Sequence, residues 1–327
     1  MQTSLNQKEL YIQYFEELKS RIIQKKLNRA TPIHGSIGIA IVMALYVVGL
    51  VFLQNMWPIW SVLYFFVLTV ELGFISHDIL HHQYFRNPKM NERVASVTAN
   101  LLIWISHSWW TEKHNVGHHT FTNSDIHDTD IRDYDEIFTW NSWKFPIFHR
   151  YKRLLFWCVT PLVYPNLIIR SWIHILEQRK YGEMFFSIGY ICILPTAFIL
   201  AFGFFHGILC FIVLTFLVWV HLAFVFMVNH IWMEIIDGKK VREYAWIDLQ
   251  TRTSRNILGG ECIHQIFGWL NKQIEHHLFP RISRYRIRAV SLEVRKFAKE
   301  KWLPYHEVSF REAIREIYNT LRTGKTL

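Results

Sequence analysis

Four long apolar runs restrict most strongly what this chain can fold into. The first covers residues 35–53 and contains no charged residue, and the second covers residues 59–75, where Glu71 is the single charge. Two more runs, at residues 184–202 and 208–233, contain no Asp, Glu, Lys or Arg. A helix that crosses a bilayer needs about 20 mainly apolar residues. Each run is therefore predicted to span a membrane.

The spacing of the runs predicts two in-and-out hairpins, the second one turning at residues 203–207. No Lys or Arg occurs at residues 34–85 or 181–238, so all 36 basic residues lie outside the hairpins. The positive-inside rule then assigns both termini to the cytosol. The net charge of +10 belongs to the same face. It fits lipid headgroups and topology, and it also fits a docking surface for an acidic electron-transfer protein.

Composition and two less regular segments complete the membrane interpretation. Charged residues make up 19% of the chain, below the roughly 25% of an average soluble domain, and hydrophobic residues reach 51%. Residues 94–110 and 154–176 are apolar and rich in Trp and Tyr, which is typical of helices that lie in the membrane interface. The tail from residue 281 predicts one or two soluble cap helices from its apolar positions: Ile287, Val290, Leu292, Val294 and Phe297.

Three histidine clusters indicate metal binding. They read His77-Asp-Ile-Leu-His81-His82, His114-Asn-Val-Gly-His118-His119 and Gln273-Ile-Glu-His276-His277. Neutral imidazole is the commonest metal-binding side chain, and eight histidines exceed the needs of one tetrahedral ion. On a helix, residues four apart lie on one face, so each cluster can present several donors together. The clusters predict a two-metal centre.

Further side chains are candidates for supporting this centre. His230, at the end of the fourth run, is a candidate ligand, and Asn229 beside it could hold a metal-bound water. A metal-binding histidine usually donates its other ring N–H to an oxygen, which fixes the ring. Four carboxylates lie close enough in sequence to accept such a bond: Asp78, Asp128, Asp130 and Glu275.

The residue types narrow the chemistry but leave the metal open. Imidazole donors suit iron, copper, nickel or zinc, and the lack of nearby cysteine excludes thiolate-based sites. The chain has no nucleophilic triad arrangement, no glycine-rich phosphate loop and no patterned basic helix for nucleic acid. A two-metal site beside lipid is well placed to attack a hydrocarbon chain. Oxygen chemistry is the prediction that survives.

We therefore predict an all-α integral membrane protein with four transmembrane helices in two hairpins, interfacial helices and a cytosolic helical cap that holds the histidine-rich two-metal site. It is expected to form one integrated catalytic domain. Its parts are a cytosolic N-terminal segment, a hairpin ending in the first cluster, a cytosolic and interfacial region, a second hairpin and the cap: residues 1–34, 35–82, 83–183, 184–233 and 234–327.

The clusters with their flanking residues resemble the three histidine boxes of the membrane fatty acid desaturases. The carrying motifs are His77-Asp78-x-x-His81-His82, Trp109-Trp110-x3-His114-Asn115-x2-His118-His119 and Gln273-x-Glu275-His276-His277-Leu278-Phe279-Pro280. The glutamine that opens the third box is similar to that of the front-end, delta-5 and delta-6 branch. The likeness covers residues 35–280, and the Leu-Phe-Pro ending of the third box is highly specific.

The resemblance implies a di-iron enzyme that uses O2 and two electrons to remove two hydrogens from adjacent methylenes of an acyl chain. The substrate would be held bent beside two iron ions, as a lipid, an acyl-CoA or an acyl-carrier ester. The boxes imply the ligands, with His230 and Gln273 at or near the metal: His77, His81, His82, His114, His118, His119, His276 and His277.

Many front-end enzymes carry a fused cytochrome b5 domain with a His-Pro-Gly-Gly haem motif. The 34 residues before the first run are too short for it and lack the motif. We therefore expect a separate electron donor, either a ferredoxin or a cytochrome b5. This favours a bacterial inner membrane, with the endoplasmic reticulum as the alternative.

Two other functions remain open at this stage. A di-iron hydroxylase would use the same boxes, because transfer of oxygen to the carbon radical competes with loss of the second hydrogen. A zinc-binding membrane receptor or a metal transporter could also gather histidines at a membrane face. A transporter, however, should place its ligands near the bilayer midplane on broken helices, whereas these clusters lie past the hairpin ends.

Overall fold

The computed structural model describes residues 6–130 and 160–323, together with residues 151, 154, 156 and 158. Its elements, in chain order, are α1 (Gln7–Gln24), α2 (Pro32–Phe52), α3 (Pro58–Leu80), α4 (Pro88–Ala95), α5 (His107–Trp110), α6 (Val163–Glu177), α7 (Tyr181–Phe202), α8 (Phe204–Met227), α9 (Trp246–Thr253), β1 (Arg255–Leu258), α10 (Glu261–Ile266), α11 (Gln273–Leu278), α12 (Arg284–Lys301), β2 (His306–Ser309) and α13 (Phe310–Thr323).

The chain divides into two compact units. Residues 31–112 and 159–224 form the first, which we call the spanning-helix unit. Residues 1–30, 113–158 and 225–327 form the second, which we call the sheet unit because it contains β1 and β2.

The described residues contain four helices that are long and apolar enough to cross a membrane, which confirms the predicted number. They are α2 with its short extension to Asn55, α3, α7 and α8. Proline stands in the first turn of α2 and of α3, where its missing N–H costs no helical hydrogen bond. Side chains such as Val51 and Leu200 remain exposed, as expected of residues that face lipid.

The turn between α7 and α8 is shorter than predicted. Instead of five residues, Gly203 alone separates the helices, with a φ of +78° that favours glycine. A Cβ atom on Gly207 would lie 2.5 Å from the Cα of Ile199, so the backbones of the two helices pack closely there. Residues 204–207 therefore belong to the first turn of α8 and not to a loop.

Helices α2 and α3 pack through aromatic side chains around a glycine. A Cβ atom on Gly49 would lie 2.4 Å from the ring of Tyr64, and the Tyr64 hydroxyl donates to the carbonyl of Leu45 at 2.6 Å. Tyr46 and Phe65 meet edge to face with ring centroids 5.1 Å apart. The small residue therefore lets the two helices approach closely.

The segment at residues 94–110, predicted as one helix, is broken. A π-helical stretch at Ser96–Leu101 ends before Trp104, whose φ is +66°, and helix α5 starts at His107. The segment predicted at residues 154–176 contains α6, which begins at Val163. The carboxylate of Glu183 accepts a hydrogen bond from Ser106 at 2.6 Å, within the spanning-helix unit.

The sheet unit adds an element that the all-α prediction lacks. Strands β1 and β2 pair in parallel, with Arg255 opposite His306 and Leu258 opposite Ser309. Each strand has four residues, too few for an alternating pattern to stand out in the sequence. Their partnership also joins positions about fifty residues apart, which only tertiary contact can reveal.

The tail from residue 281 forms the two helices α12 and α13, as its apolar spacing predicted. The core side of α12 carries Ile287, Val290, Val294 and Phe297, all buried, as the sequence predicted. The prediction is wrong for Leu292, whose side chain is 66% exposed. Its offset from the other four turns it toward the opposite face of the helix.

Candidate metal centre

The sheet unit brings together three histidines that are far apart in the sequence. One ring nitrogen each of His118, His230 and His277 lies within 4.8 Å of those of the other two. His118 belongs to the π-helical segment Thr111–His118, His230 lies in the turn that follows α8, and His277 is on α11. The rings of His118 and His277 are buried, and His230 is half-buried.

Each of these three rings is oriented by a hydrogen bond from Nδ1 to an oxygen. His118 donates to Asp128 Oδ2 at 2.9 Å and His230 to the carbonyl of Thr253 at 3.0 Å. His277 donates to Gln250 Oε1 at 2.8 Å. A proton fixed at Nδ1 leaves the lone pair on Nε2, the tautomer that binds a metal.

The environment of the Nε2 atom of His277 fits a metal ligand. This atom is buried and has no hydrogen-bond partner among the described residues. A buried polar atom without a partner costs free energy, and such atoms in native proteins call for a specific explanation. A metal ion bonded to Nε2 would satisfy it.

The π-helical geometry explains how the second cluster gathers its rings. In a turn closed by hydrogen bonds between residues five apart, side chains four and five positions on lie near the first. The His114 ring stacks on His118 at 5.3 Å and meets His119 edge to face at 4.8 Å. An ordinary α-helix would have brought His118 beside His114 and turned His119 away.

His276 and His119 extend the group within the same unit. The ring of His119 stacks on His277 with centroids 4.3 Å apart and meets His276 edge to face at 4.8 Å. His276 and His119 are both buried. The second and third predicted clusters thus lie side by side, with five buried imidazoles and the half-buried His230.

A buried network of neutral side chains supports these rings. Gln250 donates from Nε2 to the carbonyl of His119 at 2.8 Å, and this bond turns its Oε1 toward His277. The Thr122 hydroxyl donates to the carbonyl of His118 at 2.9 Å and lies 3.1 Å from Nδ1 of His277. Gln250 and Thr122 have no exposed surface. The rings are therefore held by groups whose own positions are fixed.

Two of the predicted carboxylates lie against the second cluster. Asp128 is fully buried, and besides the ring of His118 it accepts from the backbone N–H of Asn123 at 2.8 Å. Asp130 is partly exposed, forms an ion pair with Lys113 and lies 3.5 Å from His118 Nδ1. Asp128 thus holds the ring, and Asp130 links it to a buried lysine.

The pKa of His118 is shifted in the opposite direction from the pKa values of His230 and His277. Burial lowers the pKa of His118, but the carboxylates of Asp128 and Asp130 outweigh burial and raise the pKa above its ordinary value. Burial lowers the pKa of His230 and of His277 well below the ordinary value, and repulsion from the neighbouring imidazoles adds to the effect. His230 and His277 are therefore neutral at physiological pH, as metal binding requires.

Gln273 and Asn229 form a second link to His230. The Asn229 amide nitrogen donates to the carbonyls of Val225 at 3.0 Å and Leu270 at 3.2 Å, and it lies 3.4 Å from Gln273 Oε1. The other end of the Gln273 amide, Nε2, lies 3.0 Å from Nε2 of His230. Both predicted residues are thus in the immediate surroundings of His230.

Glu275 has contacts different from those expected of it. Its carboxylate accepts from the hydroxyl of Tyr305 at 2.7 Å and from the amide of Asn256 at 2.9 Å. Burial raises the pKa of Glu275, although both hydrogen bonds oppose the shift. Glu275 thus ties α11 to β1 through Asn256 instead of accepting from an imidazole.

The first cluster lies in the spanning-helix unit, where His77 is in the last turn of α3 and His81 caps the helix one turn later. Their rings meet with centroids 4.6 Å apart, and both are buried. The Asp78 carboxylate lies 3.4 Å from Nδ1 of His77 and accepts from the Tyr84 hydroxyl at 2.8 Å. His82 follows in a left-handed conformation with a φ of +56° and is half-buried.

Four supporting residues were missed by the sequence reasoning: Thr122, Gln250, Thr253 and Tyr84. None stands in a recognisable motif. Gln250 is more than twenty residues from His277, and Thr253 acts through its carbonyl, which any residue supplies. Only Tyr84, two residues after the first cluster, could have been found by its position.

The four apolar helices and the buried, oriented imidazoles together fit a membrane protein with a metal site, and imidazole donors suit iron, copper, nickel or zinc. Comparison with known proteins is more specific. The fatty acid desaturase family matches residues 54–309, which is more than half of the chain. The chain belongs to the fatty acid desaturase family, a class of membrane oxidoreductases, which confirms the resemblance found in the sequence.

The chain is also similar to individual proteins that are named as fatty acid desaturases. The chain is 29% identical over 319 residues to a Delta(8)-fatty-acid desaturase of Euglena gracilis, covering 89% of this chain and 74% of that protein. It is 27% identical over 273 residues to an acyl-lipid (9-3)-desaturase of Physcomitrium patens, covering 77% and 50%. A Delta(5) fatty acid desaturase, fat-4, of Caenorhabditis elegans is 27% identical over 268 residues, covering 72% and 56%. The chain thus spans half to three quarters of these relatives.

Proposed function

We propose that this protein is an O2-dependent fatty acyl desaturase that introduces a cis double bond into an acyl chain at a di-iron site beside the membrane. The observation that carries the proposal is the convergence of His118, His230 and His277, each of which donates from Nδ1 to an oxygen. Nε2 of His277 is buried without a hydrogen-bond partner among the described residues, and Nε2 of His230 lies beside the Gln273 amide. Family membership and the four apolar helices support the proposal.

The proposed ligand set joins the three clusters. The sheet unit supplies His114, His118, His119, His230, His276 and His277, and we propose that the first cluster, His77, His81 and His82, completes the centre together with the nearby Gln273. The number of imidazoles supports two ions, since one ion binds four to six ligands. The chemistry that iron supplies in such a site is oxygen activation and removal of hydrogen from an unactivated methylene.

The residues of the chain have three tasks in this proposal. Asp128, Gln250 and the carbonyl of Thr253 hold protons on Nδ1, so that the lone pair of each ring lies on Nε2. The mutual packing of the rings keeps water from the donor atoms. The protein also positions the acyl chain, because which carbon pair reacts depends on where the chain is held.

We propose that the metal centre faces the cytosol and receives electrons from a separate ferredoxin or cytochrome b5. The exclusion of Lys and Arg from residues 34–85 and 181–238 supports this sidedness. A bacterial inner membrane is the favoured location, with the endoplasmic reticulum as the alternative. The acyl group would be carried in a lipid, on coenzyme A or on a carrier protein.

Expression in a host fed defined fatty acids tests the proposal. We expect new double bonds in the extracted lipids, mapped by mass spectrometry, and purified protein that contains iron. His277→Ala should abolish both the product and most of the iron. His264→Ala is the matched control, since His264 is also buried in the sheet unit but donates to Asn271 and stacks on Trp269.

The outcomes separate the alternatives. A hydroxylated chain in place of an unsaturated one would identify a hydroxylase. Zinc in place of iron, with no altered lipid, would identify a receptor or transporter. Desaturation that survives His277→Ala at the wild-type level would contradict the assignment of this histidine.

A further inference from the structure

Arg255 is a buried charge that the proposed chemistry does not use. It opens strand β1, and none of its surface is exposed. Its Nε donates to the carbonyl of Val228 at 2.6 Å, and its backbone N–H donates to the carbonyl of Asn229 at 3.0 Å. Two of its donors therefore hold the turn that leads directly into His230.

His230, the next residue of the turn, is held by the same segment that contains Arg255. Nδ1 of His230 donates to the carbonyl of Thr253, two residues before Arg255. Residues 228, 229 and 230 are thus each bonded, in succession, to the short segment 253–255. This turn lies beyond the end of α8. Its local backbone bonds run from His230 and Ile231 to the carbonyl of Met227, and the bonds to segment 253–255 fix it against the rest of the unit.

Helix α13 supplies the counter-charge. Glu316 accepts from Nη1 of Arg255 at 2.6 Å and lies 3.1 Å from the ring nitrogen Nε2 of His306. Burial lowers the pKa of Arg255 to about 10, and the charge of Glu316 works against that shift. Without Glu316 the guanidinium would be an uncompensated charge in the interior of the unit.

Stability alone does not explain this pair. Nη2 of Arg255 is buried and has no hydrogen-bond partner among the described residues. A buried ion pair that leaves a donor unsatisfied is a poor source of folding stability, and an apolar pair of the same size would often serve better. The forked guanidinium, however, reaches a carbonyl and a carboxylate that lie in different directions.

We propose that Arg255 and Glu316 are positioning residues that hold the Val228–His230 turn, so that the C-terminal helix α13 sets the place of the metal ligand His230. The inference rests on the proposed metal role of His230. Lysine could not replace the arginine, because one ammonium group cannot bond to both the Val228 carbonyl and Glu316 in this geometry.

Anaerobic titration of the purified, metal-free full chain with Fe(II) against a competing chelator tests the inference. We expect Arg255→Lys and Glu316→Gln to weaken binding of one of the two ions by about 10- to 100-fold, the usual effect of removing support from a metal-binding histidine. His230→Ala should weaken the same ion at least as much. The visible bands of Co(II)-loaded protein should change in the same three variants.

Leu321→Ala is the control for simple destabilisation. Leu321 is buried on α13, five residues beyond Glu316, and its apolar side chain forms no hydrogen bond or ion pair with Arg255, so its loss weakens the packing of the helix and leaves the Arg255–Glu316 pair intact. We expect a lower melting temperature with wild-type iron affinity and an unchanged Co(II) spectrum.

The outcomes keep the inference distinct from the proposed function. Wild-type iron affinity in both Arg255→Lys and Glu316→Gln, with His230→Ala impaired, would overturn the inference and leave the function standing. An equal loss of affinity in Leu321→Ala would also overturn it. A wild-type protein that binds no iron would overturn the proposed function, and the inference with it.

Discussion

Replacing Gln250 by leucine removes the hydrogen bonds that connect two histidines of the metal centre while keeping nearly the same volume. The amide of Gln250 donates to the carbonyl of His119 and accepts from Nδ1 of His277, both at 2.8 Å, in a fully buried position. In Gln250→Leu the His277 ring is free to move its proton to Nε2. That tautomer cannot bind a metal through Nε2.

The size of both effects can be estimated from these contacts. The His119 carbonyl loses a buried donor, which costs about 1–3 kcal/mol in the free energy of unfolding. Loss of the acceptor at Nδ1 should weaken metal binding by about 10- to 100-fold, or about 1.4–2.8 kcal/mol. The hydroxyl of Thr122, 3.1 Å from the same ring nitrogen, can accept in place of Gln250 and keeps the loss within this range.

Iron affinity and unfolding in detergent should be measured on the same preparations. Thr251→Val is the matched control, because Thr251 is buried on the same helix and, among the described residues, its hydroxyl bonds to the carbonyls of Ile247 and Asp248 instead of to an imidazole. It should lose stability and keep its iron affinity. A Gln250→Leu protein that binds iron as tightly as the wild type would refute the argument that the Nδ1 acceptor selects the tautomer.

Two further predictions concern packing and charge. Gly49→Ala should lower the free energy of unfolding by about 1–3 kcal/mol, because its Cβ would lie 2.4 Å from the Tyr64 ring. Gly182→Ala is the control, since no atom lies within 4 Å of the position its Cβ would take. Equal melting temperatures for the two variants would contradict the close helix contact. Burial raises the pKa of Glu316, but His306 and Arg255 outweigh it and lower the pKa below the ordinary 4.5. The stability that Glu316 contributes is therefore present above pH 4.5 and lost as the pH falls through the lowered pKa, so the melting temperatures of wild type and Glu316→Gln should converge in acid. A gap that does not depend on pH would count against an ionised Glu316.

Much of the site was predictable because metal chemistry demands a particular residue type. Doublets such as His118-His119 and His276-His277 are rare by chance, and their spacing carries meaning before any fold is known. The same holds for Asp128, an acidic residue within ten positions of the second cluster, which does contact His118. Glu275 shows the limit of this reasoning, since its neighbours in sequence are histidines but its contacts are Tyr305 and Asn256.

The supporting residues were hidden for a physical reason. Gln250 and Thr253 act by hydrogen bonds from a helix more than twenty residues from the ligands they hold, and amides and carbonyls of this kind occur everywhere in a chain. The π-helical turn at Thr111–His118 was equally hidden. Its hydrogen-bond pattern differs from an α-helix by one residue, and propensity does not distinguish the two.

The sequence by itself predicted that lipid surrounds part of this protein and that its clustered histidines bind metal. Charge-free runs of about twenty residues are costly in water, and clustered imidazoles have few uses other than metal binding, so both conclusions follow from residue type and spacing alone. Only the tertiary structure decided which ring nitrogen faces the centre and what holds each ring. Orientation depends on partners brought together by folding, such as Gln250 for His277 and Arg255 for the turn before His230, and no local pattern encodes them.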